Sequence, residues 1–426
     1  MPKWTKWFSP GLKIKRWGFL LVFSAFVLAV GLSGVMGQAF QGIQVEVMRP
    51  RTLERLTRRV QSLRFIDFVF LGFGVWGLIY SLKRFGDALI TILMPQREKE
   101  FLDVVLAKAK LRHGPKVVAI GGGTGLPVLL SGLKSYTNNL TAIVTVADDG
   151  GSSGRLRQDL HILPPGDLRN CLVSLAETEP LMQKLFQHRF KEKGDLSGHS
   201  FGNLFIAAMS EVTGDFGEAI RASSKVLAIS GRVLPVTLDS VGLTAVLEDG
   251  RRVSGESSIT RSGGRVKQLS LEPEDCQPTP EVMQAIAEAD AIVLGPGSLF
   301  TSILPNLLVP GVARAVAGSR AIKIYICNVM TQPGETEGFK LSDHLRAFHR
   351  MAGFSLIDYA VANTENPRDP LLKRYSREGQ APVEVDRQGS EELGVKLVKA
   401  KLLAPGDYLR HDAKKLAKTV MRLIVI

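Results

Sequence analysis

Cysteine is scarce in this chain. Cys171, Cys276 and Cys327 are the three in 426 residues, dispersed and without a Cys-x-x-Cys pair. Neither a disulfide framework nor a thiolate zinc site follows from such a set, and a reducing compartment is the simplest setting. The familiar nucleotide signatures are missing as well. No Gly-Lys-Ser/Thr ends a glycine loop, which excludes a P-loop, and Gly121-x-Gly123-x-Gly125 departs from the G-x-G-x-x-G dinucleotide fingerprint. No serine, histidine and aspartate fall into a hydrolase triad order, so nucleophilic catalysis is not expected. Internal repeats and low-complexity tracts are absent too.

Acidic residues are in deficit, but only locally. The net charge of +13 suggests nucleic acid until it is located. Residues 1–112 hold 18 of the 54 Lys and Arg and 7 of the 41 Asp and Glu, and so carry +11 of it. The rest of the chain is nearly neutral, which argues against a nucleic-acid partner. Trp17–Val45 has no charged residue and is long enough to span a bilayer. A shorter run, Phe68–Leu82, can span if Phe65 and Ile66 join it, with Asp67 at one interface and Lys83 and Arg84 snorkelling at the other. Residues 1–96 therefore read as a membrane segment of one to two transmembrane helices. Basic residues in the N-terminal tail and after the second run together outnumber those of the loop between. That places the remaining body on the cytoplasmic side, anchored in the cell (inner) membrane.

Residues 97–114 read as a linker helix, stopped by Gly114-Pro115. From 115 to 426 the pattern is α/β. Apolar runs at Val117–Ile120, Leu140–Ala147, Ala291–Leu294, Ala321–Cys327 and Tyr359–Ala362 each open into a polar or glycine-rich loop, with helical stretches such as Glu281–Glu288 between some of them. This predicts a Rossmann-like, mostly parallel sheet with helices on both faces and a ligand crevice at the carboxyl ends of the strands. Glu248-Asp249-Gly250 is a hairpin signal, so residues about 232–272 read as a small antiparallel β insertion.

The chemistry-bearing strings follow the strands. Gly121, Gly122, Gly123, Thr124 and Gly125 stand between a strand and an apolar helix, where backbone N–H groups and a helix N-terminus can hold a phosphate. The same string also fits a tight turn with no ligand. Asp148-Asp149-Gly150-Gly151-Ser152-Ser153-Gly154-Arg155 offers carboxylates for Mg²⁺ or sugar hydroxyls and a forked cation for phosphate, or is a solvated loop. Pro165-Gly166-Asp167 reads equally as a turn with Asp167 as helix N-cap. His199, in Gly198-His199-Ser200-Phe201-Gly202-Asn203, has no visible partner for general-base work. Gly295-Pro296-Gly297-Ser298, followed by Thr301 and Ser302, repeats the first glycine loop. Two such loops in one sheet suit a diphosphate.

Seven strings in order resemble one family. Besides those above they include Asp167-Leu168-Arg169-Asn170, Asn328-Val329-Met330-Thr331-Gln332-Pro333-Gly334-Glu335-Thr336 and Arg410-His411-Asp412. From about residue 115 onward the chain resembles the gluconeogenesis-factor family, within the wider group of 2-phospho-L-lactate transferase. The first 112 residues lie outside that match. The resemblance implies binding of a UDP-sugar such as UDP-N-acetylglucosamine, with Asn170, His199, Asn203, Asn328, Thr331 and Arg410 joining the glycine and aspartate loops at the ligand. It also implies a role in cell shape and in growth on gluconeogenic carbon sources, through contacts with enzymes of cell-wall precursor supply. A homo-oligomer is compatible with it. A Mg²⁺-dependent phosphotransferase, with Asp148 and Asp149 on the metal, is the alternative, and a membrane scaffold the third reading.

Overall fold

The computed structural model describes residues 14–45, 54–93, 110–177, 180–191 and 194–424. The linker helix expected over 97–114 lies mostly outside the described residues. The chain divides into two compact units, residues 1–108 and 109–426.

The first unit is a pair of helices, Ile14–Val45 and Glu54–Leu93. Each contains a stretch long and apolar enough to cross a membrane, Arg16–Gly34 and Phe65–Ala88. The second stretch outruns the uncharged segment because the helix continues through Asp67 and Lys83–Arg84. Small residues bring the two backbones together in antiparallel register. A Cβ added to Gly31 would lie 2.7 Å from the Leu71 nitrogen, one on Gly74 2.6 Å from the Leu28 Cα, and one on Gly77 2.7 Å from the Ser24 Oγ. Close packing of this kind holds helices together in lipid, where burial from water supplies no drive. The buried Ser24 and Ser81 hydroxyls donate back to the Leu20 and Leu78 carbonyls. At one end, the Arg84 guanidinium lies 5.6 Å from both the Trp17 and Tyr80 ring centroids, a set suited to a membrane interface. Phe19, Phe26, Phe73 and Trp76 face outward. The intact chain is expected to stay with membranes through carbonate extraction. Release by high salt alone would show that charge, not a span, holds it there.

The second unit is built on a seven-stranded sheet. Its strands are β1 (Val117–Gly121), β2 (Leu140–Val144), β3 (Arg232–Pro235), β7 (Ala291–Leu294), β8 (Ile322–Ile326), β9 (Tyr359–Asn363) and β10 (Lys396–Ala400). They run in the order β10-β9-β8-β7-β1-β2-β3, with every pairing parallel. β1, β2 and β7 are buried along their whole length, which is why they read as continuous apolar runs. The C-terminal helix Ala413–Ile424 buries Leu416, Ala417, Val420 and Met421, the i, i+1, i+4, i+5 stripe of an amphipathic helix. It packs beside the helix Gly125–Leu133, where Gly132 leaves room for the Ala417 methyl.

The β insertion is narrower than the sequence suggests. Residues 232–235 belong to the main sheet, where β3 pairs with β2. The antiparallel piece is β4 (Gly242–Leu247), β5 (Arg252–Ser254) and β6 (Val266–Glu272), in the order β5-β4-β6. Gly250, at φ +87°, turns the expected hairpin between β4 and β5. A short apolar strand followed at once by an antiparallel one carries no sequence mark of the change of sheet.

Candidate functional site

The strand order reverses between β1 and β7, which places a crevice beyond their carboxyl ends. Both glycine loops open into it. After β1, Gly123 turns at φ +63° and the helix Gly125–Leu133 starts with no side-chain cap on its N-terminus. After β7, Gly295 and Gly297 flank Pro296 and lead into a π-helical turn, Leu299–Ile303. The loops touch backbone to backbone. A Cβ on Gly125 would press on the Pro296 carbonyl, 2.7 Å from its carbon and 3.0 Å from the Gly297 nitrogen.

Between them lies a cleft of about 330 Å³. Gly123, Thr124, Gly125, Gly297, Ser298, Asn328 and Arg410 line it, so the structure gathers these expected residues at one place. Asn328 clasps the second loop, accepting the Gly297 N–H at 3.2 Å and donating to the Gly297 carbonyl at 2.8 Å. Gln332 donates to the Ser298 hydroxyl at 2.7 Å. Arg410 is the one Lys or Arg among the lining residues, and none of them is Asp or Glu. His411, the next residue, lines the cleft as well. It is buried, and burial pulls it down to about 4, so the ring is neutral. Asp412 accepts the Lys415 N–H at 2.8 Å and caps the C-terminal helix.

Two of the loop donors do not face the cleft as free groups. The Gly123 N–H donates to Asp167 Oδ2 at 2.6 Å, and the Gly297 N–H is held by Asn328. Buried backbone donors need partners, and these loops supply them internally. Asp167 is not the N-cap of its own helix, Gly166–Leu175, whose cap position is Pro165. It reaches across to the first glycine loop instead. Burial, with Asp148 adding its charge, pushes its carboxyl up to about 6 against the pull of the Gly123 N–H and Arg169.

The Asp-Gly-Ser motif is not a plain loop, since Gly151–Leu160 is a helix. Its side chains tie three helix starts together. Ser153 accepts the Gly166 N–H at 3.2 Å, and Arg155 donates to the Ser197 carbonyl at 2.6 Å. Ser152 lies 3.0 Å from His199 Nδ1 and accepts from Asn203 Nδ2 at 3.0 Å, while Arg169 donates to Asn203, Ser200 and Asn170. His199 therefore has a partner that the sequence did not reveal. The string 150–154 even has Gly-x-Ser-x-Gly spacing, but the strained φ falls on Gly151 rather than on Ser152. Burial and Arg155 hold His199 below its ordinary value, as suits a neutral member of a closed network. Ser152, His199 and Asn203 are all buried there. Thr331 is likewise engaged elsewhere, exchanging bonds with Ala381. Thr301 donates to Glu335, and Ser302 packs against Gly123.

A wider cleft of about 560 Å³ lies beside Asp149, Glu256, Ser257, Thr260 and Arg261. Its carboxylates repel a diphosphate. Burial, then the charges of Asp148, Glu335 and Asp149, raise Glu256 to about 7, and burial raises Asp148 and Glu335. Asp148 Oδ1 accepts the Gly150 N–H and Asp149 Oδ1 the Ser257 N–H, each at 2.9 Å. Among the described residues, no three His, Cys, Asp or Glu converge as metal ligands.

Asp167, Gln332 and His411 were not expected at the site. For Asp167 the only signal is its place in the Pro-Gly-Asp motif at a helix start, because its partner lies 44 residues away.

Residues 117–403 match the family model described as 2-phospho-L-lactate transferase CofD. The chain is 50% identical to the gluconeogenesis factor of Bacillus subtilis over 311 residues, covering 73% of this chain and 98% of that one. Identity with a Nostoc sp. relative is 46% over 423 residues, 99% of this chain and 92% of that one, and so extends through the N-terminal unit. A crystal structure of a Bacillus halodurans protein, 50% identical, covers 72% of this chain and 99% of that one with a TM-score of 0.71.

Proposed function

The chain belongs to the 2-phospho-L-lactate transferase CofD family and groups with its gluconeogenesis factors, and from that premise we propose that it binds a nucleotide sugar at the β1–β7 cleft. The observation that carries this is the composition of the cleft. Two glycine loops and an uncapped helix N-terminus meet one arginine with no lining carboxylate. Such a site favours a dianionic linker, through the helix dipole and a charge-assisted bond from Arg410. Thr124 and Val128, one helical turn apart, separate this cleft from a groove of about 370 Å³ lined by Ser131, Asn170, Ser174 and Gln187. Hydroxyls and amides of that kind suit a sugar.

In this reading the protein is a binding and regulatory factor, and occupancy of the cleft reports envelope-precursor supply in support of cell shape and of growth on gluconeogenic carbon. The membrane hairpin holds the domain at the cytoplasmic face of the cell membrane, beside the enzymes of wall-precursor synthesis.

Titration calorimetry of the full chain in detergent, with UDP-N-acetylglucosamine, tests the reading. Arg410→Ala is expected to weaken binding about 10- to 150-fold, the loss of one charge-assisted hydrogen bond. Wild-type affinity in that variant, or no binding by the wild type, would overturn the assignment.

A further inference from the structure

The first glycine loop carries a built-in anion. Asp167 Oδ2 accepts the Gly123 N–H at 2.6 Å, and a Cβ on Gly122 would lie 2.5 Å from the same oxygen. The carboxylate thus sits against the loop that forms one wall of the cleft and is not itself among the lining residues. Its charge works against a diphosphate that enters beside that loop. Glycine at 122 and 123 lets the loop close on it, and the φ of +63° at Gly123 is a shape this contact helps to fix.

We propose that Asp167 is a positioning residue that couples nucleotide-sugar binding to the uptake of one proton: it holds the first glycine loop in shape, and it becomes a neutral acid when the diphosphate binds. The inference rests on the nucleotide-sugar reading of the cleft. Chemically the two roles are compatible. A protonated acid keeps its carbonyl oxygen for the Gly123 N–H while the proton sits on the other oxygen. The charged and titratable groups that face Asp167 are Asp148 from the loop after β2, and Arg169 and Cys171 from its own helix. The first glycine loop and the helix Gly125–Leu133 present no ionisable side chain. Asp167 already titrates near 6 without ligand, because burial disfavours its charge. Two negative charges arriving at the loop it is bonded to move it further in the same direction. The phosphates of a nucleotide sugar carry no ionisation of their own between pH 6 and 8, so a proton taken up there belongs to the protein.

The test uses the full chain in detergent with UDP-N-acetylglucosamine. Binding heats measured at pH 7.5 in buffers of different ionisation enthalpy count the protons exchanged. The expected result is uptake of up to one proton in the wild type, and affinity falling several-fold per pH unit above about pH 6.5, toward the tenfold limit for one proton. In Asp167→Asn the amide oxygen still serves the Gly123 N–H, but the charge is gone. Uptake is expected to vanish, the pH dependence to flatten, and affinity at pH 8 to exceed that of the wild type. A purely structural aspartate would leave both affinity and its pH dependence as in the wild type, because the amide keeps the Gly123 bond. Wild-type binding without proton uptake would overturn this inference alone, as would equal uptake in the variant. No wild-type binding at any pH would overturn the nucleotide-sugar reading and this inference with it.

Discussion

Gly125→Ala is expected to impair the cleft severely, although alanine is the better helix former. Position 125 is the first residue of its helix, so local propensity favours the substitution. The added methyl has nowhere to go. It presses on the Pro296 carbonyl and the Gly297 nitrogen, which are backbone atoms that cannot rotate aside. Relief requires the two glycine loops to part. Overpacking of this kind costs about 1–3 kcal/mol, or about 5- to 150-fold in affinity if it falls on the binding geometry. Gly121→Ala is the control. Its Cβ would meet nothing nearer than 3.7 Å, so it should bind as the wild type does. Titration of both variants with UDP-N-acetylglucosamine decides the point. Equal affinities would mean that contact between the loops is not what shapes the site.

The second large effect concerns pH and stability. Asp167 is raised to about 6 and Glu256 to about 7 in the folded protein, while their unfolded values lie near 4. A carboxyl raised on folding binds its proton more tightly in the native state. Its stabilising contribution is complete below about pH 4 and is lost as pH rises through 6 to 7. The body should therefore melt at a higher temperature at pH 5 than at pH 8. Asp167 alone accounts for about 1.4 kcal/mol of the fall between pH 5 and pH 8. Glu256 adds to it in the same direction. Calorimetric melting of wild type, Asp167→Asn and Glu256→Gln across this range checks the sign. Both variants should flatten the dependence. A wild-type melting temperature that climbs from pH 5 to pH 8 would show that these groups are ionised in the folded state at little cost.

A related expectation follows from the division into two units. A fragment covering 109–426 should be soluble and melt cooperatively, because the sheet, its helices and the C-terminal helix all lie within it. Insoluble material after careful refolding would show that the N-terminal helices are needed for folding.

Much of this was legible in the chain itself. The apolar runs of β1, β2, β7, β8 and β9 announce buried parallel strands, since a strand covered on both faces needs no alternation. Two glycine loops at strand ends announce a crevice, because backbone can approach backbone or phosphate only where no Cβ intervenes. The hairpin at Gly250 and the two membrane-length helices follow from equally local physics: a positive φ, and an apolar length. Other features were illegible for a stated reason. That β3 joins the main sheet while β4 begins another depends on which neighbour each strand finds, and both are short apolar strands. The Ser152–His199–Asn203–Arg169 network was hidden because its members come from three helices and the segment before one of them, which meet only in the fold.

Sequence by itself determined the fold class, the membrane-length helices, the glycine loops and the strand ends they follow, since each depends on residues within a few positions of one another. Tertiary structure alone decided which polar residues face the cleft and which turn inward. It put Arg410 and the buried His411 at the cleft and Asp412 at a helix cap, though the three are consecutive. It also set Asp167 against Gly123. The reason is physical: a side chain's role is fixed by what the packed chain brings within hydrogen-bond reach, and for Asp167 that partner lies 44 residues away.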